Sequence, residues 1–228
     1  MEAAKNNKTH FDYQKSLKKR RTHFIDKFIR VERYINRPLA SLIVRVVFHT
    51  RVTPNGLTFL SFFLGLLAAF FFSRGEYFYF VLGGVFTQLS AIVDCADGML
   101  ARAKNMCSEY GAHLDLFLDR IIDLCLIVGI AVGIYSASSN GNLFIIGLLT
   151  AGLYLLQINL FYIFKSFTGK KETGETGEAR ALMLLGILIF SIANRLDVFI
   201  YMLFVETSIN NLIRLIYFIY LGKNRLSK

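Results

Sequence analysis

Asp94-Cys95-Ala96-Asp97-Gly98-Met99-Leu100-Ala101-Arg102 closes an apolar run that starts at Tyr77, and the next apolar run, opening near Gly111, carries Asp115 and Asp119. On helices, this spacing puts Asp94 and Asp97 on one face and Asp115 and Asp119 on another. Carboxylates inside apolar segments are expensive and usually functional. Four that converge repel one another unless cations compensate them. Mg2+ and Mn2+ favour such oxygen ligands. Two ions about 3.5–4 Å apart can clamp both sides of a transferring phosphoryl group. The stretch therefore predicts an all-α membrane protein with a metal site at the bilayer edge.

Outward from this stretch, six segments approach the roughly 20 apolar residues that a helical crossing needs: 57–73, 77–96, 112–135, 143–164, 181–193 and 198–221. The fifth is short unless Ala179 and Arg180 serve as its snorkelling end. The 228 residues are 54% hydrophobic with a mean hydropathy of +0.48, outside the range of an ordinary soluble domain. Cys95, Cys107 and Cys125 form no CxxC pair, so neither a disulfide framework nor a zinc site is expected.

The net charge of +10 is concentrated at the N-terminus, where residues 1–55 hold 13 Lys/Arg against 4 Asp/Glu. Such a segment suits an anionic cytoplasmic leaflet, and this reading is preferred over nucleic-acid binding. Residues 1–22 read as a flexible basic cytoplasmic tail rather than a signal peptide. Residues 23–50 read as an interfacial amphipathic segment, with Phe24, Phe28, Val31 and Ile35 at helical spacing. Arg45 interrupts the apolar residues after Pro38, which favours the interface over a short crossing. Residues 51–228 then form one six-helix domain. Both termini and the loops at 102–110 and 165–180 collect the basic residues, while the opposite turns hold Arg74 and Arg195. The positive-inside bias places the aspartate ends of the helices and both termini at the cytoplasm.

Asp94, Asp97, Gly98, Ala101, Arg102, Gly111, Asp115 and Asp119 match D-x2-D-G-x2-A-R-x8-G-x3-D-x3-D, the signature of the CDP-alcohol phosphotransferase (CDP-alcohol phosphatidyltransferase) family, at all eight positions. The chain resembles that family over all but its first 20 or so residues, and in particular the phosphatidylglycerol phosphate and phosphatidylinositol phosphate synthase type. The resemblance implies transfer of a substituted phosphoryl group from a CDP-linked alcohol to a second alcohol, with release of CMP. It implies Asp94, Asp97, Asp115 and Asp119 as ligands of Mg2+ or Mn2+, two ions in all, and Asp119 also as general base on the acceptor hydroxyl. Asn55, Thr58, Asp97, Gly98 and Arg102 would line the CDP pocket. A homodimer is implied as well.

For the donor, CDP-diacylglycerol is preferred, and a soluble CDP-alcohol acting on a lipid alcohol is the alternative. Arg180 and Arg214, with Lys170, resemble the cations that bind a phosphorylated acceptor such as inositol phosphate or glycerol phosphate. Otherwise Arg180 is a helix-end snorkel and Arg214 the partner of a core carboxylate. Asp123, one turn past Asp119, is expected to pair with Arg120 or Arg214, and Glu206 reads as an ordinary loop or end charge. Outside the enzymes, a cation transporter would also place carboxylates in the membrane. Against it, these aspartates gather toward one side, with no second acidic station across the bilayer.

Overall fold

The computed structural model describes residues 32–168 and 175–226. The expected tail 1–22, the residues Phe24, Phe28 and Val31, and Lys170 lie outside the described residues. Among the described residues all regular structure is helical. A single π-turn, Glu32–Asn36, leads into α1, Arg37–Val47. Six longer helices follow: α2, Pro54–Phe72; α3, Tyr77–Ala103; α4, Glu109–Ser138; α5, Gly141–Thr168; α6, Glu175–Ile192; and α7, Leu196–Leu226. Five of these, α2, α3, α4, α5 and α7, are long and apolar enough to cross a membrane. The chain is an all-α, polytopic membrane protein.

The helix ends explain where each element starts. Thr53 has extended backbone, and its side chain accepts a hydrogen bond from the Gly56 amide at 3.2 Å, with Pro54 at the first helical position of α2. Ser108 caps α4 in the same way, accepting from the Gly111 amide at 3.0 Å. That cap starts α4 at Glu109, slightly ahead of the apolar run. The α2–α3 turn needs Gly75, whose φ of 78° is unfavourable for a side chain; a Cβ there would also lie 2.7 Å from the Gly133 carbonyl oxygen. α6 begins six residues ahead of the expected apolar segment, so Glu175, Glu178 and Arg180 occupy its first turns. α1, eleven residues and therefore about 16 Å long, is too short to cross a hydrocarbon core of about 30 Å.

The six long helices form a closed ring of neighbours, in the order α2, α3, α6, α7, α5, α4 and back to α2, with α1 lying against α3. Phe72, Leu126, Ile127, Ile130, Ile187 and Ile200 are buried at its centre. A second apolar cluster, with Ala40, Val44, Leu57, Ala96 and Leu100, seats α1 on α2 and α3. α2 and α4 approach closely at two glycines. A Cβ at Gly129 would stand 2.5 Å from the Ala69 carbonyl oxygen, and one at Gly133 only 1.9 Å from that of Phe72. Between apolar helices in lipid, where small residues replace the hydrophobic effect as the means of association, this four-residue glycine spacing lets the backbones touch. The ring thereby brings the C-terminal turns of α3, the N-terminal turns of α4 and the start of α6 to one end of the bundle.

Candidate active site

Asp94 and Asp97 stand on the last turns of α3 and Asp115 on the second turn of α4, with one carboxylate oxygen from each lying within 4.8 Å of the others. Thr58 of α2 is 5% exposed and donates from Oγ1 to Asp97 Oδ2 at 2.6 Å, which fixes that carboxylate against α2. Asp94 Oδ1 and Asp115 Oδ1 are buried and accept no hydrogen bond from the described residues. Buried carboxylate oxygens without partners are rare and demand an explanation. An all-oxygen donor set with spare lone pairs fits a hard divalent cation. The group is compatible with a divalent metal site.

Asp119 stands outside that triad, one turn further along α4, where Arg180 holds it. Arg180 reaches inward from α6 and is 11% exposed. Its Nη2 lies 2.9 Å from Asp119 Oδ1, its Nη1 3.3 Å from Asp94 Oδ2, and its Nε donates to Asp123 Oδ1 at 3.0 Å. A side chain so paired is not a snorkelling helix end. Asp123 is fully buried, and it accepts two further bonds: from Tyr154 Oη at 2.8 Å and from Arg120 Nη1 at 3.1 Å. The expected Arg120 pairing of Asp123 is present; Arg180, rather than Arg214, is its second arginine. A buried carboxylate persists only where partners satisfy it, and here three side chains from three helices do so.

The mouth of the site is framed by loops. Lys104 Nζ donates to the carbonyl oxygens of Thr50 and Val52, at 2.9 and 2.8 Å, tying the end of α3 to the entry of α2. Asn55 Oδ1 approaches the start of α4 so closely that a Cβ at Gly111 would lie 3.2 Å from it. The Arg102 guanidinium folds back over Gly98, where a Cβ would meet its Nη1 at 3.4 Å. Arg102 is exposed and has no hydrogen-bonding partner among the described residues. Asn55, Thr58, Asp97, Gly98 and Arg102 therefore share one end of the bundle with the triad.

Arg180 also forms part of the wall of a cavity of about 640 Å3 between α5, α6 and α7. Arg214 stands on another wall, donating to the Gln157 carbonyl oxygen at 2.7 Å with its guanidinium 5.4 Å from the Phe161 ring centroid. The structure thus brings Arg180 and Arg214 to one cavity, with only Arg180 touching the aspartates. Glu206 lines the same cavity, well inside α7, which corrects its reading as a loop or end charge. Sequence reasoning also passed over Tyr154, Gln157 and Asn210. For α7 a signal existed: Glu206, Asn210 and Arg214 recur every four residues within an apolar run, and so share a face.

A membrane bundle of this form, with acidic groups of α3 and α4 gathered at one end, defines a polytopic membrane protein with a carboxylate cluster compatible with a divalent metal site. The CDP-alcohol phosphatidyltransferase family model matches residues 51–213, and the chain belongs to that family. It is 37% identical over 83 residues to an archaetidylinositol phosphate synthase of Pyrococcus horikoshii, an alignment that takes in 36% of this chain and 42% of the relative. It is 41% identical over 103 residues to a bifunctional IPC transferase and DIPP synthase of Rubrobacter xylanophilus, covering 45% of this chain and 23% of the relative. These alignments span less than half of each curated relative. The crystal structure of Mycobacterium tuberculosis phosphatidylinositol phosphate synthase with CDP-DAG bound superposes with a TM-score of 0.62 at 23% identity, over 79% of this chain and 92% of that one. That similarity is one of fold.

Proposed function

We propose that this chain transfers a phosphatidyl group from CDP-diacylglycerol to a hydroxyl of a small phosphorylated alcohol, such as inositol phosphate or glycerol phosphate, and releases CMP. The observation that carries this reading is the triad Asp94, Asp97 and Asp115, whose ligand oxygens converge within 4.8 Å beside Asp119 and the Arg180 cavity. The family relatives named for inositol phosphate lipids support the acceptor class, and the related structure with CDP-DAG supports the donor.

Asp94, Asp97 and Asp115, with Asp119 as a shared ligand, would hold one or two Mg2+ or Mn2+ ions. When bound, these supply positive charge to a pyrophosphate donor. Asp119 takes the proton of the acceptor hydroxyl, whose oxygen attacks the phosphorus that carries the diacylglycerol. The phosphoanhydride bond breaks and CMP leaves with the electron pair. Arg102, exposed above Gly98, meets the donor phosphates with a planar fork, and Asn55 and Thr58 line the nucleotide side. Arg180 and Arg214, with Lys170, bind the acceptor phosphate. The contacts of Arg180 to Asp119 and Asp94 support a phosphate site next to the proposed base.

The remaining architecture follows the same reading. α6 makes the sixth crossing, α1 lies at the interface, and the aspartate end of the bundle and both termini face the cytoplasm. The protein works as a homodimer. The test is CMP release by purified protein from CDP-diacylglycerol, with and without Mg2+ or Mn2+, across inositol 1-phosphate, glycerol 3-phosphate, inositol and serine. Metal-dependent release with a phosphorylated acceptor is the expected result. Release only from a soluble CDP-alcohol with diacylglycerol would replace the donor, and no release with any pair would overturn the transferase reading.

A further inference from the structure

We propose that Glu32–Val47 is a positioning brace for α6, in which Glu32, Arg37 and Glu178 set Arg180 over Asp119 and Asp94. This rests on the reading of Arg180 as a cation that binds the acceptor phosphate. The brace precedes residues 51–213, the stretch that the family model matches. It touches two helices at once. On α3, Gln88 Nε2 donates to Asn36 Oδ1 at 2.7 Å between two buried side chains, and Ala40 and Val44 pack with Ala96 and Leu100. On α6, the Glu32 amide donates to Glu178 Oε2 at 3.3 Å, and Glu32 Oε2 stands 3.4 Å from where a Cβ on Gly177 would lie. Arg37 donates to Glu32 Oε1 from Nε at 3.0 Å and also from Nη2, and the charge of Glu178 reaches it too. Arg37 therefore holds together two carboxylates that would otherwise repel.

Glu178 and Arg180 are two residues apart, so on a helix they point about 200° apart. Glu178 faces the brace, while Arg180 reaches inward to Asp94, Asp119 and Asp123. The start of α6 is thus held from both sides, which fixes its rotation as well as its depth. α6 needs such a hold. Its 18 residues span about 27 Å, and it is not among the five helices long and apolar enough to cross a membrane. Hydrophobic length therefore fixes its depth only loosely. The brace ties that depth to α3, the helix that carries Asp94 and Asp97. Arg180 thereby keeps its register with the carboxylates when a ligand draws on its guanidinium. The rival reading is that these contacts only add stability, which lowers the melting temperature and leaves the kinetics of folded protein unchanged.

The experiment uses the full chain in lipid nanodiscs, with CDP-diacylglycerol, Mg2+ and either inositol 1-phosphate or glycerol 3-phosphate. Glu178→Ala and Arg37→Ala should each raise the KM for the phosphorylated acceptor about fivefold or more, the effect of a misplaced positioning group, while the KM for CDP-diacylglycerol holds. Glu178→Gln keeps an accepting oxygen and should recover part of the loss. Arg180→Lys should raise the acceptor KM by itself, because an ammonium cannot replace the planar fork. In that background Glu178→Ala should move the KM by less than about twofold, since the brace acts through Arg180. An unchanged acceptor KM in folded Glu178→Ala and Arg37→Ala, an equal rise in both KM values, or a full additional loss on top of Arg180→Lys would each overturn the brace and leave the transferase standing. An unchanged acceptor KM in Arg180→Lys removes the acceptor role of Arg180 and the brace with it, and no CMP release by wild type with any acceptor removes the transferase reading as well.

Discussion

At the scale of single residues, the carboxylates share their partners unequally. Asp94, Asp97 and Asp115 turn toward one another, Asp119 and Asp123 are held by arginine, and Asp94 belongs to both groups through its contact with Arg180. Asp119→Asn keeps the shape and loses the proposed base. Turnover should fall by about 100-fold or more while CDP-diacylglycerol still binds, as measured by CMP release alongside ligand binding; wild-type turnover would remove Asp119 as the base. Asp123→Ala leaves Arg180, Arg120 and Tyr154 without their shared acceptor. Removing one partner of a buried charge pair costs about 3–5 kcal/mol, so a large drop in melting temperature in detergent is expected, and a smaller one for Asp123→Asn. The signature positions were legible from sequence because their chemistry lies in spacing along two consecutive helices. Tyr154 and Arg180 were not, as partners of Asp123. They come from helices 31 and 57 residues further along, and no local pattern says which side chain of those helices faces α4.

At the scale of elements, the α2–α4 contact has little room to give. Gly133→Leu would drive a side chain into the Phe72 backbone, and Gly129→Leu into Ala69. Either should lower the melting temperature and the yield of folded protein, whereas Gly141→Ala, with nothing within 4 Å of its Cβ position, should leave both near wild type. The helices themselves were legible from apolar length, because lipid admits few other structures. Their ends were not. Asp97 and Arg102 are polar, yet α3 continues through them to Ala103, and Glu175 begins α6 ahead of its apolar run. Hydropathy records where a helix meets lipid, while caps such as Ser108 decide where it starts.

At the scale of the whole molecule, the ring places the aspartate triad, Asp119 and Arg102 at one end, so the sidedness of that end can be read with one native probe. Cys107 is exposed in the link between α3 and α4, while Cys95 and Cys125 are half-buried within helices. A membrane-impermeant maleimide should label Cys107 in inside-out vesicles and spare it in right-side-out ones; the reverse pattern would invert the orientation. Arg180 carries a consequence of a different kind. With its guanidinium already bonded to Asp94, Asp119 and Asp123, part of the negative charge at the meeting of α3, α4 and α6 is neutralised by the polypeptide itself. Folding and ion loading are thereby separable, unlike in small metal-nucleated domains, which unravel when stripped. Chelation should therefore abolish CMP release while moving the melting temperature little, and restored Mg2+ should return full turnover without refolding. On the proposed reading, such a protein can be inserted and stored idle in its bilayer and armed afterwards by a divalent ion.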